Sequence, residues 1–285
     1  MNKVLLLNKS SGITSREAIN KLTKIFHTKK IGHTGTLDPL ATGVLVVCIN
    51  EATKLCELLT QETKEYIATI KLGISTDTLD ITGNIQKQEK IKKYSPVEIQ
   101  RVLDSFLQTY KQEVPLYSAV RINGKKLYEY ARQNIPVKLP QREVTIYDIK
   151  LLDYKDDLIK FQVKVSKGTY IRSLIKDICT KLNTIGCMQE LIRTKQGIFD
   201  LKNSYTIENI IDGNYELVSI EDVLKNFPKK NLSFEEYQKV KNGAILPNDL
   251  NHDKTAFVYK GKIIAIYQIY PKDPAKIKPY RMFNN

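Results

Sequence analysis

The sequence predicts an α/β fold, with strands and helices interleaved over residues 1–228 and a small β-rich domain over 229–285. Three observations carry that reading. Val44-Leu45-Val46-Val47-Cys48-Ile49 is an uninterrupted apolar run of strand length, as in a strand buried on both faces. Thr14 with Glu17, and Ser95 with Glu98, form capping-box patterns directly ahead of apolar residues at helical spacing. Past Phe227-Pro228-Lys229-Lys230-Asn231 the texture changes to short runs punctuated by Gly243 and Gly261.

Taken in order, residues 4–7 are the first predicted strand. Thr14 then opens a helix over about 15–27, with Ala18, Leu22, Ile25 and Phe26 on one face. A glycine-rich loop leads into the strand at 44–49. Tyr66, Ala68, Ile70 and Leu72 alternate with Ile67, Thr69 and Lys71, which predicts a half-buried strand with Tyr66 projecting from it. Ser95, with Pro96 at the first helical position, begins a helix bearing Val102, Leu103 and Phe106. A shorter helix is predicted at 125–133. Residues 144–154 and 158–165, separated by Lys155-Asp156-Asp157, read as a hairpin. Lys167-Gly168 precedes a helix carrying Ile171, Leu174, Ile175, Ile178 and Leu182, with Tyr170 and Arg172 at its N-terminal end, where free N–H groups favour a negative partner. Beyond a boundary at Pro228 come a short helix at 233–241 and a hairpin formed by 256–259 and 263–270. So short a segment is expected to lean on the larger domain for its core.

At 285 residues the chain has room for one large domain and one small one. Lys and Arg number 45 against 31 Asp and Glu, a formal charge of +14 that fits a polyanionic partner, RNA or DNA, although a Lys-, Ile- and Asn-rich composition alone produces some of this excess. Cys48, Cys56, Cys179 and Cys187 match no common zinc spacing and are read as reduced core thiols. The apolar start Val4-Leu5-Leu6-Leu7 is too short for a signal segment and no run approaches a membrane span, so a cytoplasmic protein with no membrane partner is expected.

The chemistry concentrates in Gly32-His33-Thr34-Gly35-Thr36-Leu37-Asp38-Pro39-Leu40-Ala41-Thr42-Gly43, a polar loop with one carboxylate that runs straight into the buried strand. Glycines permit close backbone approach and Pro39 stiffens the residue after Asp38, so the carboxylate is held in place. An Asp-Pro turn, a core tyrosine at 66 and a loop-bonding His33 are the ordinary alternatives, and with only His27, His33 and His252 in the chain a metal role is disfavoured. No P-loop ending follows Gly32-His33-Thr34-Gly35, and no dinucleotide fingerprint is present.

Four separated segments together resemble one family. The Gly32–Gly43 loop, Lys64-Glu65-Tyr66-Ile67-Ala68 ending at Leu72-Gly73, Thr76-Asp77-Thr78-Leu79-Asp80 with Gly83, and Ser166-Lys167-Gly168-Thr169-Tyr170-Ile171-Arg172-Ser173-Leu174 are similar to the bacterial tRNA pseudouridine-55 synthases of the TruB family. Pro115-Leu116-Tyr117-Ser118-Ala119, with Gly124, Tyr128, Ala131 and Arg132, extends the resemblance, and the C-terminal segment looks like that family's PUA module. The resemblance implies a central, mostly antiparallel mixed sheet flanked by helices. It implies an enzyme that needs no cofactor and no metal, and that isomerises the T-loop uridine of elongator tRNA by detaching the base at N1 and rejoining it through C5.

Residue by residue, the resemblance makes Asp38 the essential aspartate and Arg172 its paired arginine. Tyr66 becomes the group stacked on the everted base, and Tyr170 a second stacking group and acceptor of the C5 proton. His33 is then the residue inserted where the base has left, Leu191 an apolar base contact, and Lys9 and Asp80 polar supports. A carboxylate suits a glycosidic centre, whether it attacks the sugar, attacks the base or takes a proton. Two departures stand out: Lys9-Ser10-Ser11-Gly12 lacks a proline common after that lysine, and Ile192 precedes Arg193 where a second arginine is common near the RNA contacts. Leu40-Ala41-Thr42-Gly43 and the short C-terminal domain favour a stand-alone enzyme over a guide-RNA-dependent catalytic subunit, and the intact Asp38, Tyr66, Tyr170 and Arg172 argue against a tRNA-binding folding helper.

Overall fold

The computed structural model describes residues 2–283. In chain order the elements begin with β1 (Lys3–Lys9), α1 (Ser15–Ile25), β2 (Ile31–His33), β3 (Thr42–Ile49), α2 (Cys56–Thr60) and β4 (Lys64–Leu72). The hairpin β5 (Ile74–Thr76) and β6 (Ile85–Gln88) follows, then α3 (Pro96–Asp104) and β7 (Thr109–Glu113). Next come the small hairpin β8 (Arg121–Ile122) and β9 (Lys125–Lys126), α4 (Leu127–Arg132), β10 (Gln141–Lys155), β11 (Leu158–Val165), α5 (Ile171–Lys181) and β12 (Gly186–Gln196). The short elements β13 (Phe199–Asp200), α6 (Ile207–Ile211), β14 (Val218–Ser219) and α7 (Ile220–Val223) lead to the C-terminal part. That part holds β15 (Lys229–Asn231), α8 (Phe234–Val240), β16 (Leu246–Pro247), β17 (Lys254–Tyr259), β18 (Lys262–Ile269) and β19 (Lys276–Met282).

The main sheet runs β14-β1-β3-β12-β4-β11-β10-β7, with β2 on β3 and β13 on β12. Every neighbouring pair is antiparallel except β3 with β12, where Thr42 and Gly43 lie beside Ile192 and Arg193, so the sheet is mixed and mostly antiparallel as predicted. The continuous apolar run of β3 follows from packing on both faces. Leu45, Val47 and Ile49 join the cluster formed with α1 and α5, while Val44, Val46 and Cys48 join a second cluster on the opposite face. That second cluster also takes Ala256, Ile263, Ile266 and Phe283, so the C-terminal five-stranded sheet, β15-β17-β18-β19-β16, buries one of its faces against the main sheet.

Local chemistry sets the helix ends. The Thr14 hydroxyl accepts the Glu17 N–H and the Glu17 carboxylate accepts the Thr14 N–H, so both halves of the α1 capping box form. The helix stops at Ile25, two residues before the sequence reading, because His27 turns left-handed at φ 49°. The helix expected over 125–133 is also shorter. Asn123 and Gly124, with φ 48° and 82°, make a two-residue hairpin turn that draws Lys125 and Lys126 into β9, and α4 starts at Leu127.

The largest omission of the sequence reading is β12. Gly-Cys-Met-Gln-Glu-Leu-Ile-Arg-Thr-Lys-Gln carries charged and amide residues through a strand at the sheet's centre. Arg193 and Gln196 are nonetheless buried and spend their donors on backbone carbonyls. Buried polar residues whose donors are met in this way imitate a solvent-facing pattern.

Gly43 is where β3 meets β12. Its φ is +106°, and a Cβ there would stand 2.3 Å from the Arg193 carbonyl oxygen and 2.7 Å from its nitrogen. Gly43→Ala is therefore expected to destabilise the fold by about 2–4 kcal/mol, read as a fall in the urea midpoint at unchanged slope.

Candidate active site

Asp38 sits in the loop joining β2 to β3, and residues 11–15, which lead from β1 into the first residue of α1, hold that loop down. The Ser15 hydroxyl accepts the Leu37 N–H at 2.9 Å and donates to the Leu37 carbonyl at 3.1 Å. The Gly12 N–H donates to the Pro39 carbonyl at 3.0 Å, and the Ser11 hydroxyl donates to the Leu40 carbonyl at 3.0 Å. From the β12 side the buried Arg193 guanidinium donates to the carbonyls of Val44 at 2.7 Å and Gly35 at 3.1 Å. Arg193 lies in the segment where RNA contacts were expected, yet it is enclosed and braces the loop. Backbone carbonyls of β3 and of the loop ahead of it take these donors inside the fold.

Tyr170 and Arg172 come from the start of α5. The Arg172 guanidinium grips the Asp38 carboxylate with two parallel bonds, Nε to Oδ2 at 2.8 Å and Nη2 to Oδ1 at 3.0 Å. Its remaining donors go to backbone, Nη1 to the Thr78 carbonyl at 2.9 Å and Nη2 to the Tyr117 carbonyl at 3.1 Å. The guanidinium is thus tied to three separate loops. The Arg172 side chain is 6% exposed, whereas that of Asp38 is 32% exposed, so the pair presents the carboxylate outward and hides the cation behind it.

That outward face opens into a cavity of about 390 Å³. Asp38, Tyr66, Tyr170, Arg172 and Leu191 line it, and Tyr117, Ser118 and Tyr128 close one side. Tyr66 on β4 lies directly opposite Arg193 on β12, and Leu191 opposite Ala68, so Tyr66 and Leu191 rise from the same face of adjacent strands. The Arg142 guanidinium stands 5.6 Å from the centre of the Tyr170 ring. The cavity is thus an aromatic and apolar slot with a pinned carboxylate among its lining groups.

The other predicted residues stand behind this wall. The ammonium of Lys9 is enclosed by the carbonyls of Ile13 at 2.8 Å, Ser10 at 2.9 Å and Pro39 at 3.3 Å, and so supports the Asp38 loop from beneath. Asp80 turns its Oδ1 onto its own loop, accepting from the Thr82 N–H at 3.0 Å and the Thr78 hydroxyl at 2.9 Å; the Thr78 carbonyl of that loop is one of the Arg172 acceptors. His33 ends β2 opposite Val47, and its Nδ1 accepts the Gly35 N–H at 3.3 Å. Burial, with the positive charges of Arg193 and Arg16, holds the His33 imidazole below its ordinary range, which agrees with a neutral ring accepting that bond. The sequence reading gave no role to the carbonyls of Thr78 and Tyr117; each lay within a segment of the resemblance, residues 76–80 and 115–119, and that was the signal for them.

Burial, opposed by the Asp38 charge and reinforced by Arg193, brings the Lys9 ammonium down from 10.5 to about 8. Between those values the unfolded chain holds a proton that the folded one has released, so this group's contribution to stability rises as the pH climbs from about 8 to 10.5. Urea midpoints of the parent and Lys9→Met should therefore diverge in the parent's favour between pH 7.5 and 10. A constant gap would refute the linkage.

Among the described residues, no group of three or more His, Cys, Asp or Glu side chains is arranged to hold a metal ion, and no helix is long and apolar enough to cross a membrane. Comparison with known proteins identifies the family. Residues 23–171 match the model of the TruB family pseudouridylate synthase N-terminal domain. The whole chain aligns at 40% identity with 98% of tRNA pseudouridine synthase B of Bacillus cytotoxicus, and at 41% with 98% of its counterpart in Bacillus pumilus. Among solved structures, a chain of a Cbf5-Nop10-Gar1 complex superposes with a TM-score of 0.73 at 25% identity, over 99% of this chain and 84% of that one. With a family model matched over more than half of the chain and relatives aligned over its whole length, this chain belongs to the TruB family of pseudouridylate synthases.

Proposed function

We propose that this protein is a stand-alone tRNA pseudouridine synthase that converts the T-loop uridine at position 55 of elongator tRNAs to pseudouridine. The observation that carries the reading is the Asp38 carboxylate, clamped by Arg172 at the base of a slot lined by Tyr66, Tyr170 and Leu191. The target base lies inside a folded loop and must be everted to reach that depth, and the faces of Tyr66 and Tyr170 offset part of the stacking it gives up. His33, at the end of β2, is in this reading the residue inserted where the base has left.

In this reading Asp38 meets the sugar–base junction, where the N1–C1′ bond breaks and the C5–C1′ bond forms. The proton lost from C5 goes to the Tyr170 phenol oxygen or to water, and N1 takes up a proton, so the product is an isomer. Arg172 fixes the carboxylate's direction throughout, and Leu191 keeps the base plane free of competing polar contacts. The described residues from 229 to 283, with Arg281 beside Tyr280 and Lys278 beside Tyr270, form a PUA-like domain suited to the RNA backbone. No guide RNA or protein partner is required.

An unmodified T-arm hairpin with a C5-tritiated uridine tests this. The purified protein alone should release tritium to water. Hairpin binding without release would leave a binding protein and overturn the proposal.

A further inference from the structure

Helix α5 presents both Tyr170 and Arg172, yet no side chain of its own caps its start. Tyr170 occupies the cap position in extended conformation and makes no side-chain bond to the first turn. Strand β7 holds that end instead. Gln112, fully buried on β7, accepts the Tyr170 backbone N–H at its Oε1 at 2.8 Å. The neighbouring Glu113 carbonyl accepts the Ser173 hydroxyl at 2.8 Å.

Donor and acceptor identities fix the direction of everything behind that bond. With its oxygen facing the Tyr170 N–H, the Gln112 amide turns its NH₂ toward Tyr110, whose hydroxyl oxygen accepts at 2.9 Å. The Tyr110 proton is then free for Asp177 Oδ2, at 3.3 Å. Asp177 lies on α5 itself, about two turns beyond Tyr170. The bonds form a closed circuit from the helix body, across β7, and back to the helix's first N–H. Burial beside Asp177 pushes the Tyr110 phenol well above its ordinary range, so it remains a donor at neutral pH. An amide buried in this way is costly unless both its ends are used, and both are used to fix one helix end.

We propose that Gln112 is a positioning residue for the isomerisation, setting through Tyr110 and Asp177 the height and rotation at which Tyr170 and Arg172 meet the cavity. The inference rests on the roles given to those two residues above.

Single-turnover tritium release at saturating T-arm hairpin tests it, with hairpin Kd and urea midpoint measured alongside. Tyr110→Phe keeps the packing and removes only the relay; release should slow roughly three- to tenfold at unchanged Kd. Gln112→Leu should slow it roughly 30- to 100-fold, and the double variant should be no slower than Gln112→Leu, since both changes break one circuit. A purely structural role would move the urea midpoint and leave release by the folded protein at the parent rate. Tyr110→Phe releasing tritium at that rate would overturn the inference even if Gln112→Leu failed to fold. Tyr170→Leu separates the two levels: parental release there defeats the reading of Tyr170 itself, whereas loss there with parental Tyr110→Phe defeats only the positioning role.

Discussion

Asp38→Asn is expected to abolish turnover, slowing tritium release from a saturating T-arm hairpin by roughly 10⁴-fold, equivalent to about 5.5 kcal/mol of barrier. The replacement is nearly isosteric, so the loop bonds of Leu37, Pro39 and Leu40 persist. What disappears is the charge, and an amide NH₂ must now face one of the two guanidinium donors that held the carboxylate. RNA affinity comes from phosphate and base contacts that this change leaves alone, so hairpin Kd should stay within about threefold. Release by the variant within tenfold of the parent would remove Asp38 from the chemistry.

Arg172→Met should have the next largest effect, and on two quantities. Four bonds vanish at once, two to Asp38 and one each to the carbonyls of Thr78 and Tyr117. Breaking a buried pair commonly costs 3–5 kcal/mol, but the Asp38 side chain is 32% exposed and water relieves part of that penalty, so a loss of about 2–4 kcal/mol is expected. The urea midpoint reads it. Release should fall by roughly 10³-fold in the protein that remains folded, because the carboxylate is no longer aimed. Arg172→Lys keeps the charge but offers one compact head to acceptors spread over three loops, so it should recover affinity for one of them and little of the rate. Full activity in Arg172→Lys would mean that charge alone, without the fork, is sufficient.

Much of this was readable from the residues because local signals and tertiary packing agree. The Thr14 box, the run at Val44–Ile49 and the alternation through Tyr66 each specify an element that the fold retains. The loop around Asp38 was legible as a rigid carboxylate holder for the same reason: glycines and a proline act through backbone geometry that is local. What the sequence did not disclose depends on long-range satisfaction of polar groups. Gln112 and Gln196 carried no sequence signal of burial and Arg193 was placed near RNA contacts, and only the assembled sheet supplies the carbonyls and N–H groups that let them be interior. Lys9 and Asp80 were named as polar supports through the resemblance alone, and their partners, backbone carbonyls for Lys9 and the Thr78 and Thr82 groups for Asp80, are set by the fold.

The place of β12 in the sheet has a consequence for synthesis. Among the described residues, β14, β1, β2 and β3 on one side, and β4, β11, β10 and β7 on the other, are joined in the main sheet only through this strand. On the ribosome, a nascent polypeptide that has just emitted Arg172 already owns the carboxylate, the arginine and both phenols, but as two unzipped half-sheets with bare edges exposed to mispairing. Emergence of residues 186–196 closes that seam in one step, so competence for the reaction should arrive abruptly and late in translation.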